Sequence, residues 1–138
     1  MNEYRWSDLS IGMQESFEVT FTDAMSKTFA QLSGDTNPLH VDHDYAETAG
    51  FPRPVLFGML TSSLYSRLVG VHLPGKFALL EGIDIDFNAP CHAGERLIVR
   101  GEISFLSDAF QRMEIKASIR KGDQKLVSKA IIRVGLHV

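Results

Sequence analysis

The pattern of apolar and polar residues predicts an early strand that leads into a helix. Residues 16–21 alternate apolar with polar side chains, which is the period of a half-buried strand. Thr22 offers a side-chain oxygen for the N-terminus of a helix, and apolar residues follow it at helical spacing. The apolar residues of the two elements are Phe17, Val19, Phe21, Met25, Phe29 and Leu32.

The longest run with a helical period covers residues 57–71, where apolar side chains recur every three or four positions. A helix of this length spans about 22 Å, enough to cross the concave face of a small sheet. Gly70 and the pair Pro74-Gly75 end the pattern. We therefore predict a central helix here.

The segment before this helix is predicted to contain one short helix and an extended overhang. Asp44 followed by Glu47 resembles a capping box that opens a helix, and Gly50 ends it. Pro52 and Pro54 then keep the neighbouring residues extended.

Four strands are predicted in the second half of the chain, since apolar and polar residues alternate there between turn-forming segments. The predicted ranges are 83–87, 97–105, 110–120 and 125–138. Short separators rich in Gly, Asp, Asn and Ser favour an antiparallel meander.

A short turn after the first helix brings together two proton-transfer groups, Asp35 and His40. Gly34 terminates a helix readily, and Pro38 pushes Asn37 out of the helical region, so the chain must turn. Asn37 can hold the turn rigid through its side-chain amide. A carboxylate and an imidazole at this spacing can hold one water molecule for acid-base chemistry. The alternative is that Asp35 only caps the turn and His40 is a satisfied polar residue.

At this turn the chain resembles a known family, the MaoC-like (R)-specific enoyl-CoA hydratases. The resemblance rests on Gly34-Asp35-Thr36-Asn37-Pro38-Leu39-His40, Asp42, Ala46, Phe51-x-Arg53-Pro54, Gly58-Met59-Leu60 and Pro74-Gly75-Lys76. It implies an α+β hot-dog fold, in which an antiparallel sheet wraps a long central helix. It also implies that residues 1–138 form a single domain, assembled as a homodimer.

The resemblance also implies roles for individual residues. Asp35 and His40 match the residues that position and activate the water added to a trans-2-enoyl thioester. Gly58 matches the glycine whose backbone N–H binds the thioester carbonyl, and Ser66 matches a serine at the same site. Asn37 is also expected among the substrate-binding residues. The chain departs from the family at Phe57, where members commonly have histidine.

Composition narrows the possible partners. The chain has 138 residues, the size of one domain, with 44% hydrophobic and 22% charged residues. A formal charge of −3 gives no general attraction for nucleic acid or an anionic membrane, so we expect neither partner. With a single cysteine, Cys91, and neither a leader nor a long apolar run, we expect a cytoplasmic protein.

Other chemistry-bearing side chains receive structural interpretations. His40, Asp42, His43 and Asp44 are close in sequence, but helix capping explains the carboxylates better, so no metal is expected. We expect no cofactor apart from the coenzyme A or acyl carrier protein that carries the substrate. The remaining histidines lie near predicted element ends, where solvated histidines are common, and structural roles are expected for them: His72, His92 and His137.

The sequence therefore predicts an (R)-specific hydratase or dehydratase that interconverts trans-2-enoyl and (R)-3-hydroxyacyl thioesters. Two alternatives stay open. In a hot-dog thioesterase, the activated water attacks the carbonyl carbon and releases free thiol. In a non-catalytic acyl-thioester binding or assembly module, Phe57 fills part of the pocket.

Overall fold

One antiparallel sheet organises the protein, which is described here for residues 1–137 of a computed structural model. Its strands are β1 (Gln14–Thr20), β2 (Ala78–Phe87), β3 (Arg96–Ser107), β4 (Arg112–Lys121) and β5 (Leu126–Leu136). They lie in the order β1-β3-β4-β5-β2. The four predicted late strands are confirmed, although the predicted last strand extended to residue 138, which lies outside the described residues.

The helices are α1 (Asp23–Ser33), α2 (Pro38–Val41), α3 (His43–Thr48) and α4 (Gly58–Arg67). Thr22 caps α1 as predicted, because its hydroxyl accepts a hydrogen bond from the Met25 N–H at 3.2 Å. Gly34 ends α1 in the left-handed conformation, with φ of 74°. The predicted central helix is confirmed as α4, but its last turn, Leu68–His72, is a π-helix.

The core lies between α4 and the inner face of the sheet. Alternate strand residues point inward and are at most 1% exposed: Leu97, Val99, Ile103, Met113, Ile115, Ile119, Ile132 and Val134. Gly101 allows the closest approach, because a Cβ built on it would lie 2.6 Å from Cδ2 of Leu68. The sheet therefore fixes the position of α4.

The predicted meander is wrong for β2, which pairs with β5 at one edge of the sheet instead of with β3. Residues 88–95 are too long for a tight hairpin and cross the sheet instead. The Asn88 N–H donates to Val127 O at 2.8 Å, and the Gly94 N–H donates to Phe21 O at 2.8 Å. The crossover thus spans from β5 to the end of β1, and β3, β4 and β5 alone form a meander.

The cap predicted for α3 is also wrong. Asp42 caps this helix, since its carboxylate accepts from the Tyr45 N–H at 3.0 Å, and Asp44 lies within the first turn. On α1, Met25 and Leu32 are exposed, whereas Phe29 packs against the core. Spacing identified the helix, but which of its residues are buried depends on tertiary packing.

None of the helices in residues 1–137 is both long enough and apolar enough to cross a membrane.

Tyr65 on α4 and Ser128 on β5 form a hydroxyl pair inside the core, with 2.7 Å between the oxygens. Burial raises the pKa of Tyr65 to about 12, so the phenol stays neutral at physiological pH. This pair fixes the helix against the strand.

We predict that Tyr65→Phe lowers the free energy of unfolding by about 1–3 kcal/mol, because the Ser128 hydroxyl loses its buried partner. Urea denaturation followed by circular dichroism measures the change. The double variant Tyr65→Phe/Ser128→Ala should recover part of the loss, since both polar groups are then gone. Strictly additive losses in the two single variants would contradict the pairing.

Candidate active site

A chain of local hydrogen bonds fixes the turn that carries Asp35. The Asp35 N–H donates to the Ser33 hydroxyl at 3.1 Å, and the Asp35 carboxylate accepts from the Asn37 N–H at 3.1 Å. The Asn37 side chain in turn accepts from the Leu39 N–H at 3.0 Å and caps α2. The predicted rigid role of Asn37 in this turn is therefore confirmed, and the segment leads directly to His40.

His40 is held on two sides. Its Nδ1 lies 2.7 Å from the carbonyl oxygen of Val55. Because a carbonyl only accepts, Nδ1 carries the proton and Nε2 is the nitrogen free to accept one. The imidazole also packs on the ring of Phe57, with 4.3 Å between centroids, and Phe57 packs on Phe29 at 4.9 Å.

The overhanging segment at residues 54–56 is anchored to the crossover as well as to α2. The Leu56 N–H donates to Cys91 O at 2.8 Å. His92 Nδ1 lies 2.9 Å from Pro54 O and donates to it. His92 has a structural role, as predicted, but it is only 6% exposed and therefore buried, not solvated. The bond from His92 holds Pro54 in place, and the carbonyl of the next residue, Val55, orients His40.

A cavity of about 320 Å³ opens between these elements. His40 and residues 55–56 form one wall, Gly58 and Thr61 at the start of α4 form a second, and residues 87–91 form a third. Its volume lies within the range of small-molecule sites. The structure thus brings His40 and Gly58, two predicted site residues, to one cavity.

Gly58 supplies a backbone donor at this cavity. It is the first residue of α4, where the N–H groups have no partner within the helix. The helix dipole adds positive potential at the same end. A carbonyl oxygen placed here would be polarised, as in an oxyanion hole.

Cys91 lines the cavity without the character of a nucleophile. Burial, with a smaller contribution from Glu95, raises the pKa of its thiol to about 11. The thiol is therefore protonated at neutral pH, which leaves acid-base chemistry at His40 as the stronger interpretation.

The structure does not bring the other predicted site residues to the cavity wall. Asp35 is exposed in the turn before α2, and residues 1–137 show no hydrogen bond or ion pair between its carboxylate and His40. Ser66 is exposed near the end of α4, about 12 Å along the helix from Gly58. Contact of Asp35 or Ser66 with substrate stays a prediction.

Phe57, the departure from the family pattern, lies beneath the site. Its side chain is 1% exposed and contributes no surface to the cavity. The pocket is therefore not filled by this ring, contrary to the picture behind the non-catalytic alternative. The apolar ring supports the imidazole of His40 from below.

Within the described part of the chain, no three His, Cys, Asp or Glu side chains converge in a way that could hold a metal ion. Side chains of residues 40–44, the segment rich in His and Asp, have partners other than a metal. His43 Nε2 lies 3.2 Å from Glu47 Oε1, and Asp42 caps α3.

Sequence reasoning missed Phe87 and Thr61 as cavity residues. The Thr61 hydroxyl donates to Gly58 O at 2.9 Å and so stabilises the first turn of α4. Phe87 is the last residue of an alternating strand. The turn-forming residues Asn88-Ala89-Pro90 that follow were the only sequence feature that marked its position at the end of the strand.

We predict that neutral His40 is protonated at Nδ1, because the Val55 carbonyl accepts only from that nitrogen. Nitrogen-15 chemical shifts at pH 8.5, where imidazoles are neutral, report the tautomer. Exposed His43 serves as the internal control, and its signal is assigned with His43→Gln. An Nε2-protonated His40 would contradict the bond to Val55.

Two solved structures share the fold over most of the chain. The (R)-hydratase from Aeromonas caviae, described as involved in PHA biosynthesis, matches with a TM-score of 0.90 and 32% identity, covering 94% of this chain and 98% of that one. The R-hydratase PhaJ1 from Pseudomonas aeruginosa matches with a TM-score of 0.89 and 25% identity, covering 95% and 84%. The predicted hot-dog fold is confirmed.

Sequence comparison agrees. The (R)-specific enoyl-CoA hydratase of Aeromonas caviae is 37% identical over 100 residues, covering 72% of this chain and 75% of that protein. A 3-hydroxybutyryl-CoA dehydratase of Methylorubrum extorquens is 26% identical over 130 residues, covering 94% and 83%. The family described as MaoC like domain matches residues 9–123, more than half of the chain. The chain therefore belongs to the MaoC-like dehydratase family.

Proposed function

We propose that this protein is an (R)-specific hydratase or dehydratase, a carbon-oxygen lyase that interconverts trans-2-enoyl and (R)-3-hydroxyacyl thioesters. The observation that carries the proposal is the cavity shared by His40 and the N-terminal residue of α4, Gly58. The names of the similar proteins from Aeromonas caviae and Methylorubrum extorquens support the same reaction.

Gly58 acts on the electrophile in this proposal. Its N–H donates to the thioester carbonyl oxygen, and the dipole of α4 adds to the polarisation. Withdrawal of electrons through the conjugated double bond makes the β-carbon electrophilic. The same contact stabilises the enolate-like charge that develops as water adds.

His40 and Asp35 handle the water. Nε2 of His40 accepts from the water, since Nδ1 is already bonded to Val55. Asp35 is assigned to the same water by family resemblance, since its carboxylate lies in the turn before α2 and not on the cavity wall. The water oxygen bonds to the β-carbon, and a proton is delivered to the α-carbon. The roles of base and acid are assigned to the two residues together and are not divided between them.

The carrier in this proposal is coenzyme A or an acyl carrier protein, and no further cofactor is needed for the addition. Asn37 maintains the turn, and Ser66 is assigned to substrate binding only by family resemblance. The cytoplasmic location stays a prediction.

We predict that Asp35→Asn and His40→Gln each lower the rate of crotonyl-CoA hydration by about 10²- to 10⁴-fold, because each removes one proton-transfer group. Loss of the enoyl-thioester absorbance measures the rate. The double variant should lose little more than the worse single variant, since the two groups act as a unit.

His43→Gln is the matched control, because this exposed histidine lies outside the wall that faces Gly58 and should leave the rate unchanged. A thiol reagent distinguishes hydration from the thioesterase alternative, because it detects free coenzyme A, which is released only when the thioester is hydrolysed. Unchanged hydration in both site variants, or release of thiol in place of hydration, would contradict the proposal.

We also propose that two copies pair through β2. This strand lies at the edge of the sheet, with its outer backbone groups unpaired by another strand in the described residues. Leu79 and Leu80 on β2 are 51% and 44% exposed. Pairing of β2 with its symmetry mate would satisfy the backbone and cover these leucines.

We predict that the protein elutes with twice the chain mass in size-exclusion chromatography with light scattering. Leu79→Lys should shift it toward the monomer, because a charge on an edge strand opposes pairing. Lys27→Glu, on the remote α1, is the control for a change of charge. A wild-type monomer at micromolar concentration would contradict the assembly.

A further inference from the structure

Phe87 is an exposed aromatic residue that contacts the donor residue of the site. Its side chain is 56% exposed at the end of β2, yet it also lines the cavity. A Cβ built on Gly58 would lie 2.9 Å from Cε1 and 3.1 Å from Cζ of Phe87. The ring therefore occupies the space beside the Gly58 α-carbon that any other residue type would need.

This contact places the ring next to the acyl group in the proposed reaction. A carbonyl oxygen bonded to the Gly58 N–H lies about 2.7–3.2 Å from that nitrogen. The α-carbon, which is bonded to the carbonyl carbon and forms one end of the double bond, then lies beside the same glycine. In an unbranched enoyl thioester this atom carries one hydrogen, whereas an α-methyl group would need the space of the ring.

The rest of the cavity wall offers little room for a methyl group. His40 is bonded to Val55 and packed on buried Phe57. Cys91, at the other end of the wall that contains Phe87, is 2% exposed. Phe87 is 56% exposed and is the aromatic side chain that contacts Gly58, so the size of its ring limits what fits beside this glycine.

We propose that Phe87 is a specificity-determining residue that admits acyl thioesters with an unbranched α-carbon and excludes those with an α-methyl group. The inference rests on the proposed function for the position of the carbonyl beside Gly58. A missing or extra methyl group in an apolar pocket typically changes specificity about 10- to 200-fold, which sets the expected size of the effect.

The first experiment compares kcat/KM for crotonyl-CoA and for its α-methyl analogue, trans-2-methyl-2-butenoyl-CoA. The wild type should prefer crotonyl-CoA, and Phe87→Ala should reduce that preference by about 10- to 200-fold. Phe110→Ala is the matched control, since Phe110 is also an exposed phenylalanine but lies between β3 and β4, outside the cavity. Its substrate preference should equal that of the wild type.

The second experiment needs no turnover. Calorimetry gives the Kd of butyryl-CoA and of α-branched isobutyryl-CoA, for the wild type and the same two variants. The wild type and Phe110→Ala should favour butyryl-CoA, and Phe87→Ala should bind both alike. Light scattering on each variant checks that the assembly is unchanged.

The outcomes separate the two proposals. Discrimination in binding that Phe87→Ala abolishes, without hydration by the wild type, would support the role of Phe87 and contradict the proposed reaction. Hydration with an unchanged preference in Phe87→Ala would overturn the role of Phe87 alone. Equal losses for both substrates would also overturn it, because the ring would then act on the carrier or on folding.

Discussion

The hydrogen bond between His40 Nδ1 and the Val55 carbonyl oxygen is the constraint on which the site depends. It joins α2 to the overhanging segment and determines which imidazole nitrogen is free to accept a proton. The segment is itself bonded to the crossover, through Leu56 to Cys91 and through His92 to Pro54. The imidazole is therefore oriented by elements that are distant in sequence.

The fold places the Gly58 N–H and the imidazole of His40 at the same cavity. Phe57 is buried immediately before α4 and packs on His40, so the ring supports the imidazole and the helix begins beside it. Gly58 then presents its N–H at the positive end of the helix. Because the sheet holds α4 through the inner-face contacts, donor and imidazole keep their separation without a ligand. Such preorganisation is what electrostatic catalysis requires.

Local chemistry made part of this structure predictable. Gly34 and Asn37 have conformational preferences that define the turn from sequence alone, and the period of residues 57–71 identified α4. The role of His92 was not predictable, because its partner Pro54 is 38 residues away and the crossover brings them together. Phe87 was also missed, because the alternation of a strand does not show that one of its side chains contacts Gly58 at the start of α4. Likewise, pairing of β2 with β5 depends on the path of residues 88–95.

The central claim is that the thioester carbonyl of the substrate accepts a hydrogen bond from the Gly58 N–H beside His40. Isotope-edited infrared spectroscopy of bound butyryl-CoA, labelled with carbon-13 at the thioester carbonyl, tests it directly. We predict that the carbonyl stretch shifts to lower wavenumber on binding, because the donor and the helix dipole polarise the bond. A bound ligand whose carbonyl stretch stays at its value in water would contradict the account.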